Sequence, residues 1–153
     1  IISQNQQRED EYTRMLSERI VEEFHRINKV FASHLVAFTA FEIFRKKYSK
    51  LDLYNLLRLP EEDLFIPIDE FKDTFNRLLA KVHQMKNEGK LDISPYLMGD
   101  PDEMIEHGMK NVGMYHAKRP LIIDKARNVT TQDLNLLFYY HNRLVGYNLE
   151  KYV

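Results

Sequence analysis

The chain has 153 residues, with 44% hydrophobic and 29% charged residues and neither cysteine nor tryptophan. That composition fits one domain with a sizeable core. It excludes disordered and collagen-like chains, disulfide scaffolds, thiolate catalysis and sulfur-built zinc sites, and it suits a reducing, cytoplasmic compartment. A formal net charge of -1 removes any general attraction to polyanions, and no apolar run approaches the roughly 20 residues of a membrane span.

The sequence opens on Ile1 rather than Met, so a piece of a longer chain is expected, folded as a single domain over residues 1–153. Residues 4–11 (QNQQREDE) are wholly polar and predict a frayed start. From Tyr12, apolar residues fall at Met15, Leu16, Ile20, Val21, Phe24 and Ile27, a stripe of gaps of three and four that predicts an amphipathic helix. Glu22 is placed to pair with Arg26 one turn on and with His25 three positions on.

Val30–Phe44 (VFASHLVAFTAFEIF) is the most apolar stretch and predicts a central core helix, with Ser33 as its cap. Arg45, Lys46 and Lys47 follow at its C-terminal end, where cations complement the helix dipole. Leu51–Leu59 reads as a short helix stopped by Pro60. Asp69 then caps a longer one carrying Phe71, Phe75, Leu78, Leu79, Val82 and Met85, with Gly89 just past its end.

After an extended Lys90–Ser94, the run Asp100-Pro101-Asp102-Glu103 predicts a helix start, with Met104, Ile105, Met109 and Val112 on its core face and Gly113 at its end. Tyr115–Arg119 and Leu121–Lys125 read as short strands about Pro120. Thr130 or Thr131 caps a last helix bearing Leu134, Leu137, Phe138, His141 and Leu144. The expected fold is therefore mainly α: a compact helical domain with a winged-helix-like second half and one small β-hairpin, residues 1–60 forming a helical lead-in that packs on 61–153.

Little of this carries chemistry. None of the six histidines (His25, His34, His83, His107, His116, His141) sits in an HExxH pattern, and no metal or cofactor is expected. His83 and Glu88 lie five positions apart, about 500° around a helix, and so do not share a face. G-x-S-x-G, GxxxxGK[ST] and GxGxxG are all absent. For DNA binding, the helix at Asp100–Met114 would have to face phosphates while carrying Asp100, Asp102, Glu103 and Glu106 against Lys110 alone, which makes nucleic acid an unfavourable partner. Lys118 and Arg119, in the hairpin region, form a small basic patch. Tyr140 and Arg143 lie one turn apart on the last helix beside Asn142, placed for packing or for ligand contact.

Three segments, in order, resemble the glycerol-3-phosphate acyltransferase family. RIVEEFHRINKVFASHLVAF, from Arg19 to Phe38, is similar to the region after that family's catalytic domain, with Ser33-His-Leu35-Val36-Ala37 matching a leucine-valine-alanine motif. Asp69–Ile93 is similar to the long helix that follows. Leu136–Leu144 (LLFYYHNRL) resembles an aromatic-aromatic-x-Asn signature, with Tyr139, Tyr140 and Asn142 in the matching places. The family's hallmark H-x4-D is missing: the residues five beyond the histidines are Val30, Thr39, Glu88, Val112, Leu121 and Gly146.

The resemblance thus implies a non-catalytic C-terminal accessory domain of a glycerolipid acyltransferase in phospholipid synthesis. Its partner would be the catalytic domain in cis, and the parent protein would hold it at the inner face of a membrane. No catalytic residue is carried over. Arg45, Lys46, Lys47, Lys118, Arg119, Tyr140, Asn142 and Arg143 are the contact candidates, the cations toward an anionic membrane surface. The alternatives are a winged-helix DNA-binding regulator and a helical interaction module.

Overall fold

A computed structural model describes the backbone of residues 2–27 and 29–153 and the side chains of residues 4–21 and 29–153. Helix α1 spans Ile2–Ile27 and starts well before the polar run ends, so the frayed start is not seen. Phe24, Ile27 and the pairings of Glu22 lie outside the described side chains. Every described side chain of α1, from Gln4 to Val21, is exposed.

The core is organised around α2 (Ala32–Lys47), in which every residue from Leu35 to Phe44 is buried. It packs against α4 (Ile68–Asn87), α5 (Pro101–Asn111) and α6 (Leu134–His141), most extensively against α6. A stretch buried all round has to be apolar nearly all round, as Leu35–Phe44 is apart from Thr39 and Glu42. Its cap differs from the expectation at Ser33. The chain leaves strand β1 (Lys29–Val30) and turns directly into the helix through an extended Phe31, so Ser33 falls inside the first turn. β1 runs parallel to β3 (Asp92–Ile93), Val30 opposite Ile93.

Between them, α3 (Leu53–Leu56) is capped by Asp52 and is a single turn. In α4 the stripe Phe71, Phe75, Leu78, Leu79, Val82 and Met85 is buried as predicted, but the helix begins two residues earlier, at Ile68 with Pro67 at its cap, and Asp69 falls in its first turn. α5 starts as its sequence requires: Asp100 accepts a hydrogen bond from the Glu103 amide and Pro101 takes the first helical position. Gly89 and Gly113, which end α4 and α5, both have positive φ.

A three-stranded antiparallel sheet has the order β2 (Phe65–Pro67), β5 (Asn128–Thr130), β4 (Ile122–Ile123). With α4 and α5 inserted between its first and second strands, it gives the second half its winged-helix-like outline. Its hairpin is not the one expected. Tyr115–Arg119 is a series of turns, opened by a bond from the His116 amide to the Gly113 carbonyl. The second strand of the hairpin is Asn128–Thr130, reached through Arg127 in the left-handed region. Val129 is buried opposite Ile66 and Ile123, so a segment that reads locally as a helix cap is claimed by two neighbouring strands. α6 is capped instead by Asp133, which accepts from the Leu136 amide.

Gly108 is what lets α5 approach α2. A Cβ there would lie 2.8 Å from the Ala32 carbonyl oxygen and 2.9 Å from Cγ1 of Val36. The first is backbone at a buried helix start, so the two helices would have to separate. Gly108→Ala is expected to destabilise the domain by about 1–3 kcal/mol despite alanine's better helix propensity. A urea midpoint unchanged or raised in this variant would show that the contact has slack.

Candidate functional site

A buried polar couple at the heart of the fold joins α2 to α6. Nε2 of His141 donates to Oε1 of Glu42 at 2.7 Å, and both side chains are buried. The imidazole is enclosed by aromatic rings: Phe38 stacks on it at 5.0 Å, Phe41 tilts against it at 4.5 Å and Phe138 lies at 5.7 Å. Nδ1 faces Oδ1 of Asn142 at 3.2 Å. Glu42 also has a cation in reach, Nη1 of Arg45 at 3.7 Å, whose guanidinium lies over the Phe41 ring.

A histidine beside a carboxylate is the pairing a general base requires, but a base must come within about 3 Å of the proton it takes. With His141 only 1% exposed and its faces covered by phenyl rings, the ring has no side open to a substrate. What the couple does is satisfy two polar groups that would be costly to bury alone, and so fix how α6 docks on α2.

A second histidine borders the same interface. His34, in the first turn of α2, meets the edge of Phe31 at 5.6 Å. Burial, reinforced by the nearby Arg143 guanidinium, pushes its pKa down from 6.5 to about 4, so it is neutral at physiological pH.

The contact candidates read from the sequence fall in separate places. Arg45 is drawn toward Glu42. Lys46 donates to the Val153 carbonyl at 2.9 Å, and the Lys47 ammonium sits 4.2 Å from the Phe65 ring centroid. Lys46 and Lys47 border an open groove of about 650 Å³ that also holds Glu70, Asp73 and Arg77, a mixed rather than cationic surface. Lys118 is exposed. Arg119 is committed to structure, its Nη2 donating to the Met109 and Lys110 carbonyls at 2.8 and 2.9 Å, the end of α5. Tyr140 is half-buried against the core, Asn142 neighbours His141, and Arg143 is exposed beside His34.

His83 and Glu88 are apart, as their spacing requires: His83 bonds to the Leu97 carbonyl, while Glu88 pairs with Gln84 and Lys90. Among the described residues no group of three or more histidines and carboxylates gathers as metal ligands would, and no helix is long and apolar enough to cross a membrane.

The residue that sequence reading passed over is Glu42. A carboxylate inside a stretch of buried apolar residues needs a partner; His141 stands out as a polar residue on the core face of the last helix, but nothing local links it to a carboxylate 99 positions away.

No family model, no curated protein and no solved structure matches this chain.

Proposed function

We propose that these 153 residues are a non-catalytic accessory domain of a glycerolipid acyltransferase in phospholipid synthesis, packed in cis on the catalytic domain that carries the H-x4-D motif. The reading rests on the resemblance of three segments. Its main support in the structure is that two of them lie on helices that pack together and touch directly, Phe38 stacking on His141. Ser33–Ala37 lies in α2 and Leu136–Leu144 spans α6 and the turn after it, and these two elements share the core's most extensive contact and its Glu42–His141 pair. Residues with a shared structural task in one core form a coherent unit, which scattered chance likeness would not require.

The same pair argues for a supporting role. The histidine and carboxylate are spent on holding α6 to α2, not presented to a substrate. Lys47 at the end of α2 and Lys118 beside the hairpin, both exposed, are the cations through which the domain would meet its catalytic partner or an anionic bilayer surface at the inner face of a membrane.

The winged-helix-like strand order favours a second reading, a DNA-binding regulator. It is opposed by the exposed face of α5, which offers Asp102, Glu103 and Glu106 where a recognition helix needs cations. Two measurements separate the readings. The purified 153 residues are expected to transfer no acyl group from acyl-CoA or acyl carrier protein to glycerol 3-phosphate, while a longer protein carrying them behind an acyltransferase domain loses activity when they are deleted. Turnover by the 153 residues alone, or tight and salt-sensitive binding to duplex DNA, would overturn the proposal.

A further inference from the structure

Over its described side chains, residues 4–21, helix α1 turns its apolar residues to water. Tyr12, Met15, Leu16, Ile20 and Val21 are 47 to 69% exposed, whereas the rest of the domain buries its apolar stripes. Tyr12, Leu16 and Ile20, four positions apart, form a single ridge. A helix of this kind is marginal alone in water and gains most of its stability from whatever covers it.

We infer that the cover is a second copy of the same helix, running antiparallel, with the two-fold axis passing through Met15. The charge pattern carries this assignment. In an antiparallel pair centred on Met15, positions equally distant on either side of it face one another. Glu11 and Arg19 are each four residues from Met15 and share its flank of the helix, so both Glu11–Arg19 couples across the axis join opposite charges.

On the other flank Thr13 meets Ser17 of the second copy, two small polar side chains that let the helices close. Along the seam Tyr12 enters between Leu16 and Ile20 of the second copy, and Leu16 between Tyr12 and Leu16. A parallel pair would lose the match, since it sets Glu11 against Glu11 and Arg19 against Arg19.

A bilayer is the weaker occupant. Residues 4–21 contain no lysine, and Glu9, Asp10, Glu11 and Glu18 outnumber Arg8, Arg14 and Arg19, which gives anionic lipid nothing to attract. This inference does not depend on the acyltransferase reading, because it concerns only a surface of the chain itself.

The test is sedimentation of the 153-residue chain across a concentration series, with helicity followed by circular dichroism. A reversible monomer–dimer equilibrium is expected, with helical content rising as the dimer forms. Arg19→Glu places like charges across the axis twice and should weaken the dimer about tenfold or more. The double swap Glu11→Arg with Arg19→Glu should restore it. Since α1 contributes no described side chain to the core, the urea unfolding of the core should be the same in all three proteins, which separates lost pairing from lost fold. A chain that stays monomeric at every concentration, a swap that fails to restore what Arg19→Glu removed, or a monomer that instead binds phosphatidylglycerol vesicles through α1 would each overturn the assignment.

Discussion

Replacing His141 by phenylalanine is expected to cost the domain about 3 kcal/mol at neutral pH, although the new ring fills nearly the same space among Phe38, Phe41 and Phe138. The cost arises on the other side of the interface. Glu42 would keep its buried position and lose the donor that lies 2.7 Å from its carboxylate. Removing one member of a buried pair strands the other, at about 3–5 kcal/mol. The lower end applies because Nη1 of Arg45, at 3.7 Å, can take over part of the charge.

The double replacement Glu42→Leu with His141→Phe removes both polar groups at once and should recover most of that loss, ending within about 1 kcal/mol of the parent protein. Urea unfolding of the two single variants and the double variant measures the coupling directly. A cost below about 1 kcal/mol for His141→Phe would mean that Glu42 swings to solvent along Arg45, and the pair would then not be what fixes α6 on α2.

That pair also marks the boundary between what could be read along the chain and what could not. Local rules carried α4 and α5. The apolar stripes of both, and the Asp100 cap and Pro101 start of α5, each depend on residues within a turn or two, and the structure keeps them; only the cap of α4 moves, from Asp69 to Pro67. The hairpin went wrong for the opposite reason. Asn128–Thr130 is only three residues long, and what makes it a strand is Phe65–Pro67, more than sixty positions earlier, together with Ile122–Ile123. No local preference of Val129 or Thr130 records those neighbours, whereas a threonine ahead of a helical run does read as a cap.

Helix α1 shows a further limit. Its periodicity announces an apolar face that needs a cover, and a lead-in helix is expected to find that cover on residues 61–153. Periodicity does not name the surface that supplies it, and the described part of α1 lies in solvent. The contact candidates were dispersed for a related reason. Arg45, Lys46 and Arg119 stand out in sequence as cations, yet each finds a partner inside the fold: a carboxylate for Arg45 and main-chain carbonyls for Lys46 and Arg119. A charged residue identified by its neighbours in sequence is as readily a strut as a binding group, and only its distances tell the two apart.

Acid should weaken this domain through His34 in a pH window set by that one residue. In the unfolded chain the imidazole takes up a proton near pH 6.5. In the folded protein burial, with Arg143 adding to it, delays that uptake to about pH 4. Between those limits the unfolded state binds more protons than the folded one, so stability rises with pH across the interval. The contribution is whole above about pH 6.5, shrinks as pH falls toward 4, and changes no further below that.

Each tenfold change in proton affinity is worth about 1.4 kcal/mol, which bounds the effect at about 3 kcal/mol; the ring's partial access to water brings the expected loss to about 2 kcal/mol. His34→Phe removes the titrating group while keeping an aromatic contact for Phe31. Measured by urea unfolding from pH 7 to pH 4, it should lose less stability than the parent protein by about that amount. Arg143→Gln should leave the onset of the loss near pH 6.5 but end it at a higher pH, because the folded imidazole then accepts its proton sooner, and so should make the total loss smaller. Parallel pH curves for the parent protein and His34→Phe would show that the imidazole titrates as freely in the folded domain as in the unfolded chain, and that burial and the charge of Arg143 do not keep it neutral.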